Sequence, residues 1–515
     1  MLRPGERTNP GLILDRKPPK GGSLRQIKKI LLLVPPAYTF KSFRDINPLP
    51  PMGLGYLAAV AESMGMEVRI LDCLVQGWNH EEAVDGLLIR VGLPDDEIAK
   101  RIAEFAPDVI GINCQFSRQY KIYHRLFALA KQARPESITV AGGAHATVVP
   151  EEVLQNPNCD YLLIGEAEAG FKQLLEALQS GGDLGKIDGL GRKEDGRVII
   201  NEKKEWIRDL DSIPFPAYHV MELERYFGLP SSHGARRSPR FCPIITSRGC
   251  PARCTFCSAF RVWGRKYRVR SVENVLAEMK LLHERYGVTE LMFEDDNVTA
   301  DARRAEKLFR GMIEAGFNFQ WDTPNGVGVW SLTNELVDLM KQSGCYKLNF
   351  PVESGSQRVL DSVIRKPLDL GKVKSLIAHC DKISLERDMF LVIGMPGETL
   401  TDIRTSLRFA AQCRCFNPHI SVATPYPGTE LFELCRDKGF FATEFSLDDL
   451  FIRSFIIRTP DWDGEILRRT LLKGHLYLKF QRLLHDPLES FKWALRKLKD
   501  PSGLLAYLRL VNKGG

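Results

Sequence analysis

From about residue 28 to residue 440 the chain alternates short apolar runs with stretches of helical period. That alternation predicts two successive β/α arrays. In the first array, KILLLVPP (29–36) is a continuous apolar run, as a strand buried on both faces should be. GLGYLAAVAESMG reads as a helix, EVRILDC as a strand and PDVIGINC as a third strand. KIYHRLFALAKQAR is a helix, and SITVAGGAHAT and CDYLLIGEAEAG supply a fourth and a fifth strand with their loops. The expectation is an open, Rossmann-like parallel sheet over 26–185. Ligands of such sheets sit beyond the carboxyl ends of the strands. There the sequence places Pro35 and Pro36, Asn113 to Ser117, Gly142, Gly143, His145, and Gly165 to Glu168.

Residues 186–235 read as a mixed linker, with a small hairpin in GRVIINEKKEW and a proline-stiffened IPFPAYH. The rhythm then resumes over 236–440 with six strands, CPIITS, ELMFEDDN, NFQWDT, YKLNFPVES, MFLVIGMPG and HISVATPYPG, separated by helices. Six units fall short of the eight of a closed barrel, so a partial, open (β/α)6 barrel is expected. Beyond it, 441–515 loses the strand pattern and becomes a basic helical cap; Phe491, Leu495 and Leu498 fall at helical spacing. The first 25 residues, polar and rich in Pro and Gly, read as a flexible extension without the apolar core of a secretory signal.

Composition narrows the class. The 515 residues are 44% hydrophobic and 26% charged, with a formal charge of +7. So mild an excess does not point to nucleic acid. Between Asp461 and Lys513 eleven Lys/Arg face six Asp/Glu, so most of the excess sits in the last tenth of the chain. Those basic helices suit either closure of the open barrel or contact with phospholipid headgroups. Twelve cysteines are too sparse and too clustered for a disulfide framework. No apolar run approaches the roughly 20 residues that span a bilayer. The expected setting is a reducing cytoplasm.

The chemistry concentrates in ITSRGCPARCTFCSAF (244–259). Cys250, Cys254 and Cys257 are spaced C-x3-C-x2-C, with Gly249 and Pro251 turning the chain so that three sulfurs can converge. Structural zinc normally takes four protein ligands. An iron–sulfur cluster held by three thiolates keeps one iron open. Cys242, eight residues upstream, stands as an alternative fourth ligand.

This spacing after the first strand of a β/α barrel resembles the radical S-adenosylmethionine enzymes, and TSRGCPARCTFCS resembles the members that bind cobalamin through an N-terminal domain. FEDDN, VESGSQRVL, IGMPGET and PYPGTEL extend the likeness, which covers about residues 28–440. It implies a 4Fe-4S cluster on the three cysteines, whose open iron holds the amino and carboxylate groups of S-adenosylmethionine. An electron from a donor such as flavodoxin or ferredoxin then cleaves the sulfonium. The resemblance further implies that Asp295, Asp296 and Asn297 bond the cofactor's ammonium, that Glu353 and Ser354 meet its ribose, and that Phe256 and Gly394 lie by its adenine.

The first sheet resembles the cobalamin-binding domain, chiefly in PLPPMGLGYLAAVAESMGMEVRILD and VAGGAHATVVPEEVL. Gly142, Gly143, His145, Gly165 and Glu166 are its implied cobalamin contacts. The D-x-H-x-x-G pattern that sets a histidine beneath cobalt does not occur, so cobalamin is expected without one. Together the halves imply a C-methyltransferase that places a methyl group from S-adenosylmethionine, by way of methylcobalamin, on an unactivated carbon of a small molecule. PPMGLGY and GLPDDEIAKRIAEFAPDVIGI resemble the branch acting on phosphonates in the fosfomycin pathway. An oxidative cyclase or a lipid- or porphyrin-modifying enzyme is the alternative, and a sensor of the two cofactors a further one.

Overall fold

The structure is a computed structural model that describes residues 26–41, 44–229, 233, 236–450 and 455–487. The extension over 1–25 and the second C-terminal helix predicted beyond 487 lie outside the described residues.

Five parallel strands form the first sheet: Lys29–Val34, Glu67–Asp72, Val109–Asn113, Ile138–Gly142 and Tyr161–Leu163. Their spatial order is second, first, third, fourth, fifth. The order reverses between the first and third strands, and a crevice opens at such a switch point. A hairpin of Leu190–Glu194 and Arg197–Ile200, starting earlier than the one expected over 196–206, continues this sheet antiparallel to Tyr161–Leu163. A small antiparallel sheet of Ala37–Phe40, Leu88–Val91 and Glu81–Ala83 was not predicted; strands of three or four residues carry too little period to read.

The second array has six parallel strands in sequential order, Phe241–Ile244, Glu290–Phe293, Gln320–Asp322, Cys345–Glu353, Glu386–Ile393 and His419–Val422. The first and last do not pair, so the barrel is open. Trp321 shows which way its strand faces: its ring stacks on Phe309 of the outer helix Ala302–Ala315 at 5.0 Å and 16°. Alternation along the strand therefore turns Asp322 into the barrel.

Helix Gly464–His485 caps the fifth strand. Leu467, Gly474 and Leu478 are its buried stripe, and a Cβ on Gly474 would meet Leu407 at 2.5 Å. Trp462 Nε1 donates to Glu398 O at 2.7 Å, tying the cap to the turn after that strand. This part of the basic region packs on the outer helix Leu400–Gln412. No helix among the described residues is long and apolar enough to cross a membrane.

Candidate functional site

The cysteine loop is held from three sides. Gly249 has φ +85°, and a Cβ there would meet Lys266 O at 2.4 Å, so the chain turns hard against the segment that leads into the strand Arg268–Val269. Thr255 donates through its backbone to Ile364 O (3.0 Å) and through its hydroxyl to Val363 O (3.1 Å). Its own carbonyl accepts from Leu431 N at 2.9 Å. Val359–Ile364 is a π-helical turn, a rare form that recurs at functional sites.

All twelve cysteines are unpaired, and nine are buried; Cys250, Cys254 and Cys257 are the three that stay half-exposed. Cys242 is fully buried on the first barrel strand, and burial raises its thiol far above the usual range. Burial also raises the three loop thiols, Cys257 to about 12, while Lys366 opposes the rise at Cys250 and Cys254.

The acidic run ending the second barrel strand divides by role. Asp295 is turned inward, accepting from Thr246 N and from the Thr246 and Ser247 hydroxyls. Asn297 Oδ1 accepts from Gly328 N at 2.9 Å and from Thr299, bracing the loop beyond the third strand. Asp296 has a buried Oδ2 with no protein partner, as Asn297 has an unpartnered Nδ2, and the Asp296 charge is felt at Cys250 and Cys257. Burial, with Asp295 behind it, pushes its carboxyl up to about 6. Three half-exposed thiols beside an orphaned carboxylate oxygen fit a three-thiolate cluster and the ammonium of a ligand on its open iron.

Glu353 has φ +65°, a conformation that costs a non-glycine residue and points to function. Its Oε1 stands 2.8 Å from Lys366 Nζ, and its charge reaches Cys254. Ser354 does not share that direction: its hydroxyl lies 3.1 Å from Ser406 Oγ in the outer helix Leu400–Gln412, away from the mouth. Phe256 lies half-buried between two of the cysteines. Gly394 (φ +82°) is backed by the cap, since a Cβ there would meet Leu467 at 2.8 Å.

Sequence reasoning missed Lys366, which no period or motif marks. It also passed over Glu398, although IGMPGET contains it: that carboxyl accepts from Gly394 N and Met395 N, and burial pushes it up to about 8. Asp322 was hidden in an ordinary strand. Both its buried oxygens lack partners, as do Thr323 Oγ1 and Asn349 Oδ1 beside it, so four orphaned polar atoms gather inside the barrel.

In the first sheet, Gly142 has open space where a Cβ would stand, whereas Gly143 (φ +102°) packs on Cys114 O at 2.7 Å. His145 is buried, with Nδ1 3.0 Å from Ser117 Oγ and Nε2 facing Glu152 Oε2 at 3.4 Å. Both nitrogens are directed at these two side chains of the same domain. Glu166 pairs with Arg268 at 2.7 Å and Arg248 at 3.5 Å on the neighbouring array. Gly165 is covered by Trp206 and Val262 O, each within 3.2 Å of a Cβ there. Of the five Arg/Lys in RVWGRKYRVR (261–270), Arg268 and Arg270 are buried in ion pairs, while Arg261 and Lys266 stay exposed.

The carboxyl ends of both arrays face each other. Helix Ala144–Val148 packs on Ala259–Trp263, just after the cysteines, and a Cβ on Gly428 would meet Val148 at 3.2 Å. Lys121 Nζ pairs with Asp448 Oδ2 at 2.7 Å across the same cleft.

Comparison with known proteins agrees with this arrangement. Residues 47–175 match the B12 binding domain and 244–410 the radical SAM superfamily. The cytidylyl-2-hydroxyethylphosphonate methyltransferase of Streptomyces wedmorensis is 38% identical over 86% of this chain and 88% of its own length. The chain belongs to the cobalamin-binding radical S-adenosylmethionine enzymes. An uncharacterized methyltransferase of Pyrococcus horikoshii is 31% identical over 92% of this chain and 97% of its own. An anaerobic magnesium-protoporphyrin IX monomethyl ester cyclase of Rubrivivax gelatinosus is more distant, at 24% over 89% and 79%. In fold, the chain is similar to the radical S-adenosylmethionine methyltransferase TsrM of Kitasatospora setae, solved with tryptophan and a SAM analog. The TM-score is 0.67 at 16% identity, covering 88% of this chain and 89% of that one. Membership carries the cofactors of this family, a 4Fe-4S cluster, S-adenosylmethionine and cobalamin, and the methyltransferases among the relatives outrank the cyclases.

Proposed function

We propose that this radical S-adenosylmethionine enzyme methylates an unactivated carbon of a small molecule held in the cleft between its two arrays. The observation that carries this reading is the facing of the switch-point crevice of the first sheet toward the cysteine loop of the second. When bound, the cluster with S-adenosylmethionine supplies hydrogen-atom abstraction, and cobalamin supplies the methyl group.

The chain's own part is binding, orientation and exclusion of water. Cys250, Cys254 and Cys257 would hold the cluster through their three thiolates. Asp296 Oδ2 accepts from the ammonium of S-adenosylmethionine, and Glu353, oriented by Lys366, accepts from its ribose hydroxyls. Phe256 and the Gly394 turn flank its adenine, with Leu467 and Trp462 closing that side against solvent. Gly142 leaves room for cobalamin to approach the backbone. The orphaned oxygens of Asp322, Thr323 and Asn349 face inward, where hydrogen-bond donors of a substrate would satisfy them.

The relative at 38% identity makes cytidylyl-2-hydroxyethylphosphonate the first substrate to try, with a reduced flavodoxin or ferredoxin as electron donor in a reducing cytoplasm. The test is anaerobic turnover with methyl-labelled S-adenosylmethionine. Label in the product is expected; an oxidised, unlabelled product would move the assignment to the cyclases.

A further inference from the structure

A buried ion network joins the two arrays next to the cysteine loop. Arg248 lies two residues before Cys250 and is almost wholly buried. Its Nη2 donates to Glu168 Oε1 at 2.6 Å, and its Nη1 lies 3.5 Å from Glu166 Oε1. The guanidinium sits over the Trp263 ring at 4.8 Å and the Tyr56 ring at 5.2 Å. Opposite it on the two-residue ladder, Arg268 pairs with Glu166 Oε2 at 2.7 Å and donates to Ile207 O and Trp263 O. Two cations from the cysteine-loop region thus meet two carboxylates from the loop and helix after the fifth strand of the first sheet.

Every charge in the set has an opposite neighbour, and all four side chains are under a tenth exposed. Burying four charges costs more than an apolar contact of the same size would, so stability alone does not call for them. Their directional bonds do something packing cannot: they fix one register between the arrays. Arg248 lies two residues before Cys250 on that ladder, so the register reaches the first thiol through the chain itself.

We propose that Arg248 and Glu168, supported by Arg268 and Glu166, are positioning residues that set the separation between cobalt and the iron–sulfur cluster. They touch neither cofactor. The consequence is coupling: each cleavage of S-adenosylmethionine is followed by methyl transfer only while the two centres stand at the right distance. A misplacement of about 1 Å can cost on the order of 100-fold in such a step.

The test uses the reconstituted, full-length holoenzyme with Glu168→Gln, which unbalances the set, and the double variant Arg248→Met with Glu168→Met, which removes both charges and keeps the volume. Iron and cobalt content are measured first. The relaxation of the cobalt(II) electron paramagnetic resonance signal is then read with the cluster reduced, because that relaxation falls steeply with distance and needs no substrate. Expected are metal contents like the wild type in at least the double variant, cobalt relaxation slowed several-fold, and 5′-deoxyadenosine formed in excess of methylated product. Unchanged relaxation in a variant that holds both metals overturns the proposal. So does loss of iron in both variants, which would make the network a scaffold for the loop alone. Failure of the proposed substrate would leave the relaxation readout intact, so the two readings fail separately.

Discussion

Lys366 Nζ stands 2.8 Å from Glu353 Oε1, both side chains about nine-tenths buried, at the edge of the three-cysteine loop. The pair holds a carboxylate in a left-handed backbone conformation at the end of the fourth barrel strand. Lys366→Met strands that carboxylate without its cation, at a cost of about 3–5 kcal/mol. The expected results are a lower melting temperature and S-adenosylmethionine affinity reduced about tenfold or more, as for loss of one charge-assisted bond. Equilibrium dialysis against the reconstituted protein checks it. Wild-type affinity in the variant would remove Glu353 from the cofactor site.

Alanine at Cys250, Cys254 or Cys257 should each abolish iron and sulfide uptake, whereas Cys242→Ala should retain full cluster content. Cys242 sits in the core with no route to the loop, so its loss costs stability only, about 1–2 kcal/mol for a small buried side chain. Iron analysis and the cluster's visible absorption decide the matter. Loss of iron in Cys242→Ala would make it the fourth ligand.

Three buried carboxyls, Asp296, Asp322 and Glu398, are raised chiefly by burial to about 6, 7 and 8. Unfolded, they titrate near 4. Between about pH 4 and 8 the folded chain therefore binds more protons than the unfolded one, and stability falls as pH rises. Against the pull of burial, His124 and His145 hold Glu152 down at about 2, a contribution already complete above pH 5. The cofactor-free protein should melt lower at pH 8 than at pH 5.5, and Asp322→Asn with Glu398→Gln should flatten that slope. An unaltered slope in the double variant would place the cause elsewhere.

His145→Phe should leave bound cobalamin without any change in its cobalt(II) resonance, because both imidazole nitrogens are turned into the domain toward Ser117 and Glu152. The expected effect is on stability, about 1–3 kcal/mol from leaving a buried partner unsatisfied. Loss of a nitrogen splitting on the cobalt signal in the variant would contradict this.

Gly394→Val should loosen the cap. Its side chain would press on Leu467, whose contact with the turn helps close the fifth strand. Faster proteolysis within helix Gly464–His485 is the expected outcome, together with weaker S-adenosylmethionine binding; unchanged cleavage would show that the helix docks independently of that turn.

The periodicity of the two arrays, the open six-stranded barrel and the three-cysteine loop were legible in the chain because each is written locally. Apolar runs mark strands buried on both faces, and a C-x3-C-x2-C spacing is complete within eight residues. What each carboxylate does was not local. Asp295 and Asp296 are neighbours in sequence, yet one is consumed by Thr246 and Ser247 while the other keeps a free oxygen at the cysteines. Glu166 lies just past a strand end, and the fold brings Arg268, 102 residues on, against it. Ser354 and Glu353 share a motif but face different ways, because the left-handed backbone at Glu353 ends the strand just before Ser354. A sequence fixes which groups can ionise or ligate; only packing decides which of them have their bonds satisfied by distant partners and which are left to meet a ligand.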